Sequence, residues 1–234
     1  MSSKILRRSG TAVTQYLQMV GFEPRQVFMA GIGGHHEEIT VMREEWPQME
    51  LYGWEPNPGT FAHLRESFPG ILFHEALWSS KGSLTMHCRK NWKDGTSVHQ
   101  PVTDDWGSFE IQAGTLDGHN WVPDTYGRSA LLWLDCEGSE LEVLKGGPLF
   151  LAKRVGAINI EMTSRPRMGG WPLPLEVHEW LAERDFFQAW VHTIRPSIGQ
   201  FDSVYLHRDY FNSALTCCLD SAGRWSKVSV LSNP

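Results

Sequence analysis

Short apolar runs recur along this chain, each ending in glycine, polar or acidic residues and most followed by helical spacing. Residues 27–30, 51–54, 71–74, 131–134 and 157–160 are such runs. Continuous apolar runs of this length, bounded by turn formers, predict strands buried on both faces of a sheet. Residues 58–68 and 140–145 carry the clearest helical spacing, and 11–20, 37–46 and 174–184 read as further helices. Residues 186–191 follow the last of these, and 203–206 read as a final strand. Strands alternating with helices predict an α/β fold, a doubly wound Rossmann-like sheet that is mostly parallel.

Such a sheet binds ligands beyond the carboxyl ends of its strands. The residues that end each run are therefore the first candidates for chemistry. The run 131–134 stops at Asp135, followed by Glu137 and Gly138, before Leu141 and Leu144 open a helical pattern. An isolated Asp at such a junction reads as a helix cap, but the other strand ends add weight. Run 27–30 leads into Gly31, Ile32, Gly33 and Gly34, and run 51–54 ends in Glu55 and Pro56. Glycines at a first turn admit a nucleoside close to the backbone, and an acidic residue about 20 positions on holds ribose hydroxyls. Glu55 lies 22 residues beyond Gly33. Turns also use glycine for ordinary steric reasons, so the ordered set, not the glycines alone, points to a nucleoside cofactor. It does not separate a nicotinamide cofactor from S-adenosylmethionine.

The segments YGWEPNP (52–58), Ala76-Leu77 with the later Lys81-Gly82, Thr115-Leu116-Asp117 and LDCEGSELEVLKGG (134–147) together resemble the FkbM family of S-adenosylmethionine-dependent methyltransferases. They occur in that family's order and at roughly its spacing, from about Val27 to Tyr210. Glu161, after run 157–160, also matches a position where the family usually carries Glu. The resemblance implies a seven-stranded methyltransferase sheet with an antiparallel edge strand. It implies S-adenosylmethionine held by Gly31, Gly33, Glu55, Pro56, Ala76, Leu77 and Asp135. It divides the chain into a helical extension (1–25), a methyltransferase domain (26–211) and a C-terminal tail (212–234). Two positions depart from the family pattern: Met29 stands at its acidic position, and His35 where a further Gly is usual.

Composition narrows the partners. Apolar residues make up 41% and charged residues 21% of 234 positions, the balance of a globular domain. A net charge of −6 without basic runs argues against nucleic acid as the main partner. The first 20 residues lack a continuous apolar core, and no run has the length of a membrane span. Cys88, Cys136, Cys217 and Cys218 have neither metal-ligand nor disulfide-framework spacing. Together these predict a reduced, cytoplasmic protein.

Methyl transfer to a hydroxyl needs a base for the departing proton. The candidates are Asp135, Glu137, Glu161 and a histidine, His36 or His119, which titrates near neutral pH. Asp135, Glu137 and Glu161 have a second possible role as ligands of Mg²⁺, but nothing in their spacing demands one, and no metal is predicted. Two long polar segments, 88–108 and 163–174, exceed ordinary connections. They are expected to wall the acceptor side of the pocket through Trp92 or Trp106 on one and Arg165, Arg167 and Trp171 on the other. Aromatic faces there suit a sugar ring or another flat acceptor, and the family resemblance implies a sugar or polyketide-like hydroxyl. The leading expectation is an O-methyltransferase acting on a hydroxyl of a sugar or secondary metabolite. The alternatives are a non-catalytic nucleoside-binding or interaction module on the same fold and an NAD-dependent oxidoreductase. The last is disfavoured because the glycine turn lacks the full G-x-G-x-x-G spacing.

Overall fold

The computed structural model describes residues 9–33, 37–89, 96–99, 106–119, 127–165, 170–211, 216–219 and 225–228. Its first half runs α1 (Ser9–Met19), β1 (Gln26–Ala30), α2 (Glu37–Glu45), β2 (Glu50–Trp54), α3 (Pro58–Leu64), β3 (Ile71–Phe73), β4 (Ala76–Leu77), β5 (Gly82–Arg89) and β6 (Trp106–Gly114). Then follow β7 (Ala130–Leu134), α4 (Glu140–Lys145), α5 (Pro148–Arg154), β8 (Val155–Thr163), α6 (Pro174–Ala182), β9 (Phe186–Arg195), β10 (Gln200–His207) and α7 (Arg208–Phe211). A last pair, β11 (Thr216–Leu219) and β12 (Trp225–Val228), lies in the segment expected to be a tail.

Seven strands form the main sheet in the order β3-β2-β1-β7-β8-β10-β9. Every residue of β1 and β7 is buried, which explains why both read as unbroken apolar runs. Their side chains alternate between two cores. Val27, Met29, Leu131 and Trp133 pack against Val13, Tyr16 and Leu17 of α1. Phe28, Ala30, Leu132 and Leu134 pack on the other face with Val143, Leu144, Val177 and Leu181. Helix α1 packs on the sheet as part of this core; Tyr16 also stacks on Trp190 of β9 at 5.2 Å.

The mostly parallel doubly wound sheet is as the sequence predicts, with one correction of place. The antiparallel strand is β10, which pairs with β8 and β9 and stands one position in from the edge. Residues 196–199 alone link β9 to β10. That is too short for the crossover a parallel pair requires, so the two strands run opposite ways.

A second sheet, ordered β4-β6-β5, interrupts the alternation. Its strands β5 and β6 take both ends of the segment 88–108 that the sequence presents as irregular. In β6, residues exposed to solvent alternate with partly buried ones, so no continuous apolar run marks it. Among the described residues no helix is long and apolar enough to cross a membrane.

Candidate functional site

The sheet register gathers the predicted strand-end residues into one row. Ala30 pairs with Trp54 on one side and Leu134 on the other, and Leu134 pairs with Ile160. Glu161 pairs with Asp202, and Asp202 with His192. One step past those pairs, Glu55, Gly31, Asp135 and Glu161 follow one another across the carboxyl edge. The helices change faces between β1 and β7, the usual place for a ligand crevice in such sheets.

Gly31 holds the centre of the row. Its φ is +78°, and a Cβ there would lie 1.7 Å from the backbone oxygen of Asp135. Only glycine permits that approach. The Asp135 N–H donates to the Ala30 carbonyl at 3.0 Å, and the Gly31 N–H to the Trp54 carbonyl at 3.2 Å.

Glu55 is buried, 3% exposed, with both carboxylate oxygens engaged. One accepts from the Gly33 N–H at 3.0 Å and the other from the Asn57 N–H at 2.8 Å. The structure therefore joins Gly33 directly to Glu55. Asn57 caps α3 by accepting from Gly59 and Thr60, with Pro58 at the first helical position. The two amides fix the carboxylate at the end of β2, in the row of strand-end residues. Pro56 follows, half-buried, while Ala76 and Leu77 form the buried strand β4. Met29 fills the core instead of supplying a carboxylate.

The turn after β7 is built around Glu140, which the sequence presents only as a helical residue. Its buried carboxylate accepts from Cys136 N at 2.9 Å and Gly138 N at 3.2 Å. Burial raises its pKa to about 7 against the opposing pull of those amides. The clamp keeps Glu137 (φ +48°) and Gly138 (φ +96°) in the left-handed region. A Cβ on Gly138 would meet the Trp171 ring at 2.4 Å, so the indole lies directly on this turn.

The two long segments converge here. Ser97 Oγ donates to the Glu137 carbonyl at 2.8 Å, and His99 Nε2 lies 3.0 Å from the Gly138 carbonyl. The His99 and Trp171 rings are 6.4 Å apart. Glu137, Glu140, Glu161, Met162, Trp171 and Gln200 line a small cleft that opens to solvent. Glu137 and Glu161 share that wall as expected. Asp135 is not among its lining residues, although burial, then Glu161 and Glu137, hold its carboxyl well above the usual range. Other expectations differ in place. Trp106 opens strand β6, and Arg165 donates to the Ser197 carbonyl at 3.2 Å. His36, with Trp92 and Arg167, lies outside the described residues. His119 is held on the far flank, 2.8 Å from Glu75 and against Phe73 and Trp54. Burial, the leading cause, lowers its pKa.

Asp202 is a further residue at this edge that the sequence does not reveal. It is 2% exposed and faces Glu161 directly across the β8–β10 pair. Burial first, and the Glu161 charge second, raise its pKa to about 8. The unfolded chain releases this proton near pH 4. Between those values the native state binds more protons, so stability must fall as pH rises. The Asp202→Asn variant lacks that dependence. Wild-type stability should fall relative to the variant's between pH 5 and 8, by up to about 1.4 kcal/mol per pH unit, and its melting temperature should fall with it. Parallel melting-temperature curves in differential scanning fluorimetry would refute the assignment. Among the described residues no group of three or more His, Cys, Asp or Glu side chains is arranged to hold a metal ion.

Comparison with known proteins adds an independent line. The family model of the methyltransferase FkbM domain matches residues 32–187. The 2-O-methyltransferase NoeI of Sinorhizobium fredii is 27% identical over 126 residues, covering 46% of this chain and 51% of that protein. The chain thus spans about half the length of the curated relative it matches. A solved structure from Thermobifida fusca YX, assigned as a methyltransferase, aligns with a TM-score of 0.50 at 10% identity, covering 86% of this chain and 80% of that one. The plantazolicin methyltransferase BpumL, solved with SAH, aligns at 0.46 and 10% identity, covering 86% and 82%. At such identities the Thermobifida likeness bears on the fold alone.

Proposed function

The chain belongs to the FkbM methyltransferase family, and from that premise we propose that it is an S-adenosylmethionine-dependent O-methyltransferase acting on a hydroxyl of a sugar or secondary metabolite. The observation that carries this reading is the single row placing Gly31 and Glu55 beside Asp135 and Glu161. The residues present fit the cofactor. Gly31 leaves bare backbone at the crevice, and the buried Glu55 carboxylate, held by two backbone amides, stands beside it where ribose hydroxyls would be received.

When bound, the cofactor supplies an activated methyl group: the S–C bond breaks as the acceptor O–C bond forms, the bonding pair stays on sulfur, and the hydroxyl proton leaves. The protein's part is alignment, exclusion of water and reception of that proton. In this proposal Glu161 receives it, Asp202 keeps its own proton at neutral pH beside it, and Trp171 closes the cleft over the Glu137–Gly138 turn.

Isothermal titration with S-adenosylmethionine, S-adenosylhomocysteine and NAD tests the premise. The two sulfur nucleosides are expected to bind and NAD not to. Charge-assisted hydrogen bonds contribute about 1.5–3 kcal/mol, so Glu55→Ala should weaken S-adenosylhomocysteine roughly ten- to a hundredfold. An unchanged dissociation constant in a folded variant would remove Glu55 from the cofactor site.

A further inference from the structure

Gln200 opens β10 beside the cleft and is only 7% exposed. Its backbone is fixed from both sides. The preceding Gly199 is left-handed (φ +70°) and its carbonyl accepts from Ser164 N at 2.9 Å, while Gln200 itself pairs with Thr163. The side-chain Nε2 donates to Glu161. An ionised carboxylate only accepts, so this bond fixes which end of the amide faces Glu161 and turns the carbonyl oxygen elsewhere. That oxygen, Oε1, is buried and has no hydrogen-bond partner among the described residues. Buried polar atoms in native proteins are rarely left in this state, and a site awaiting a ligand accounts for one that is.

We propose that Gln200 is a specificity-determining contact for the methyl acceptor, its Oε1 accepting a hydrogen bond from the hydroxyl adjacent to the one methylated. The inference rests on reading the cleft as the acceptor site. Glu161 and Gln200 line the same cleft and are joined through Nε2; in this proposal Glu161 takes the reacting hydroxyl and Oε1 of the same amide takes its neighbour. Two acceptors joined through one amide match two donors on adjacent carbons. The acceptor class is therefore a vicinal diol, and a lone hydroxyl leaves Oε1 unsatisfied. Sites built to bond a substrate hydroxyl reject analogues lacking it far more strongly than apolar pockets reject a missing methylene.

The experiment uses the full chain with labelled S-adenosylmethionine. Acceptors are the methyl glycosides of glucose, galactose, mannose and fucose, each beside the analogue deoxygenated next to the methylated position. At least one glycoside should be methylated, with kcat/KM about tenfold or more above its deoxy partner. Gln200→Leu should lower kcat/KM for the diol at least about tenfold more than for the deoxy analogue, with the dissociation constant of S-adenosylhomocysteine unchanged. Equal losses on both substrates would show a structural role and overturn the proposal. Should Gln200→Leu not fold, the wild-type comparison decides alone, and equal turnover of diol and deoxy analogue overturns it. Binding of S-adenosylhomocysteine without methylation of any glycoside overturns the acceptor class while leaving the cofactor reading intact. Failure of that nucleoside to bind wild-type protein defeats the underlying reading instead.

Discussion

Replacing Gly31 by alanine is expected to cost about 4 kcal/mol or more and to abolish binding of S-adenosylhomocysteine. Two penalties combine. The residue has φ +78°, where an L side chain costs roughly 1–2 kcal/mol. The new Cβ would also stand 1.7 Å from the Asp135 oxygen and 2.7 Å from its carbonyl carbon. Both are backbone atoms, so no rotamer change relieves the contact. The strands cannot part either, because the Asp135 N–H is bonded to Ala30 and the β1–β7 ladder continues below. Losses of this size belong to the rare tail of point substitutions and correspond to about 8–16 °C in melting temperature for a chain of this length. Gly21 supplies the control. It has a similar φ of +75°, but a Cβ there would meet no atom within 4 Å, so Gly21→Ala carries the conformational penalty alone. If the two variants melt together, the close approach of β1 and β7 is not what Gly31 is for.

The same packing explains how far the sequence speaks. β1 and β7 are covered on both faces, so burial left them continuously apolar and easy to see. Glycines and carboxylates that end such strands are conspicuous against the apolar run just before them, which is how Gly31, Glu55 and Asp135 stand out. β5 and β6 have exposed faces that carry Ser, Thr, Glu and Gln, and their strand character is diluted. Glu140 reads as one more helical Glu until the turn it clamps is seen. The excess length of residues 88–108 and 163–174 was visible, but not that His99 and Trp171 meet above Gly138. Asp202 and Gln200 are hidden for a topological reason. Gln200 reaches Glu161 from 39 residues away through an antiparallel register, and no local pattern encodes that pairing. The one trace is an Asp within an otherwise largely apolar strand, QFDSVYLH.

Glu161→Gln is expected to lower acceptor turnover by about 10²–10⁴-fold, the usual contribution of a positioned proton acceptor, without weakening cofactor binding. The substitution keeps the side-chain shape and removes the charge, so packing in β8 is undisturbed. Its effect on stability should have the opposite sign. Glu161 is the leading charge that, after burial, pushes Asp202 up to about 8. With that charge gone, the Asp202 carboxyl titrates lower in the folded protein, and the pH range over which stability falls must narrow from its upper end. The variant should therefore melt at or above the wild-type temperature at pH 8.5 while failing to transfer methyl groups. Loss of activity through misfolding cannot give that combination. Reduced turnover with a lowered melting temperature at every pH would mark Glu161 as structural. Full turnover on a glycoside that the wild type methylates would take the proton-accepting role away from it altogether.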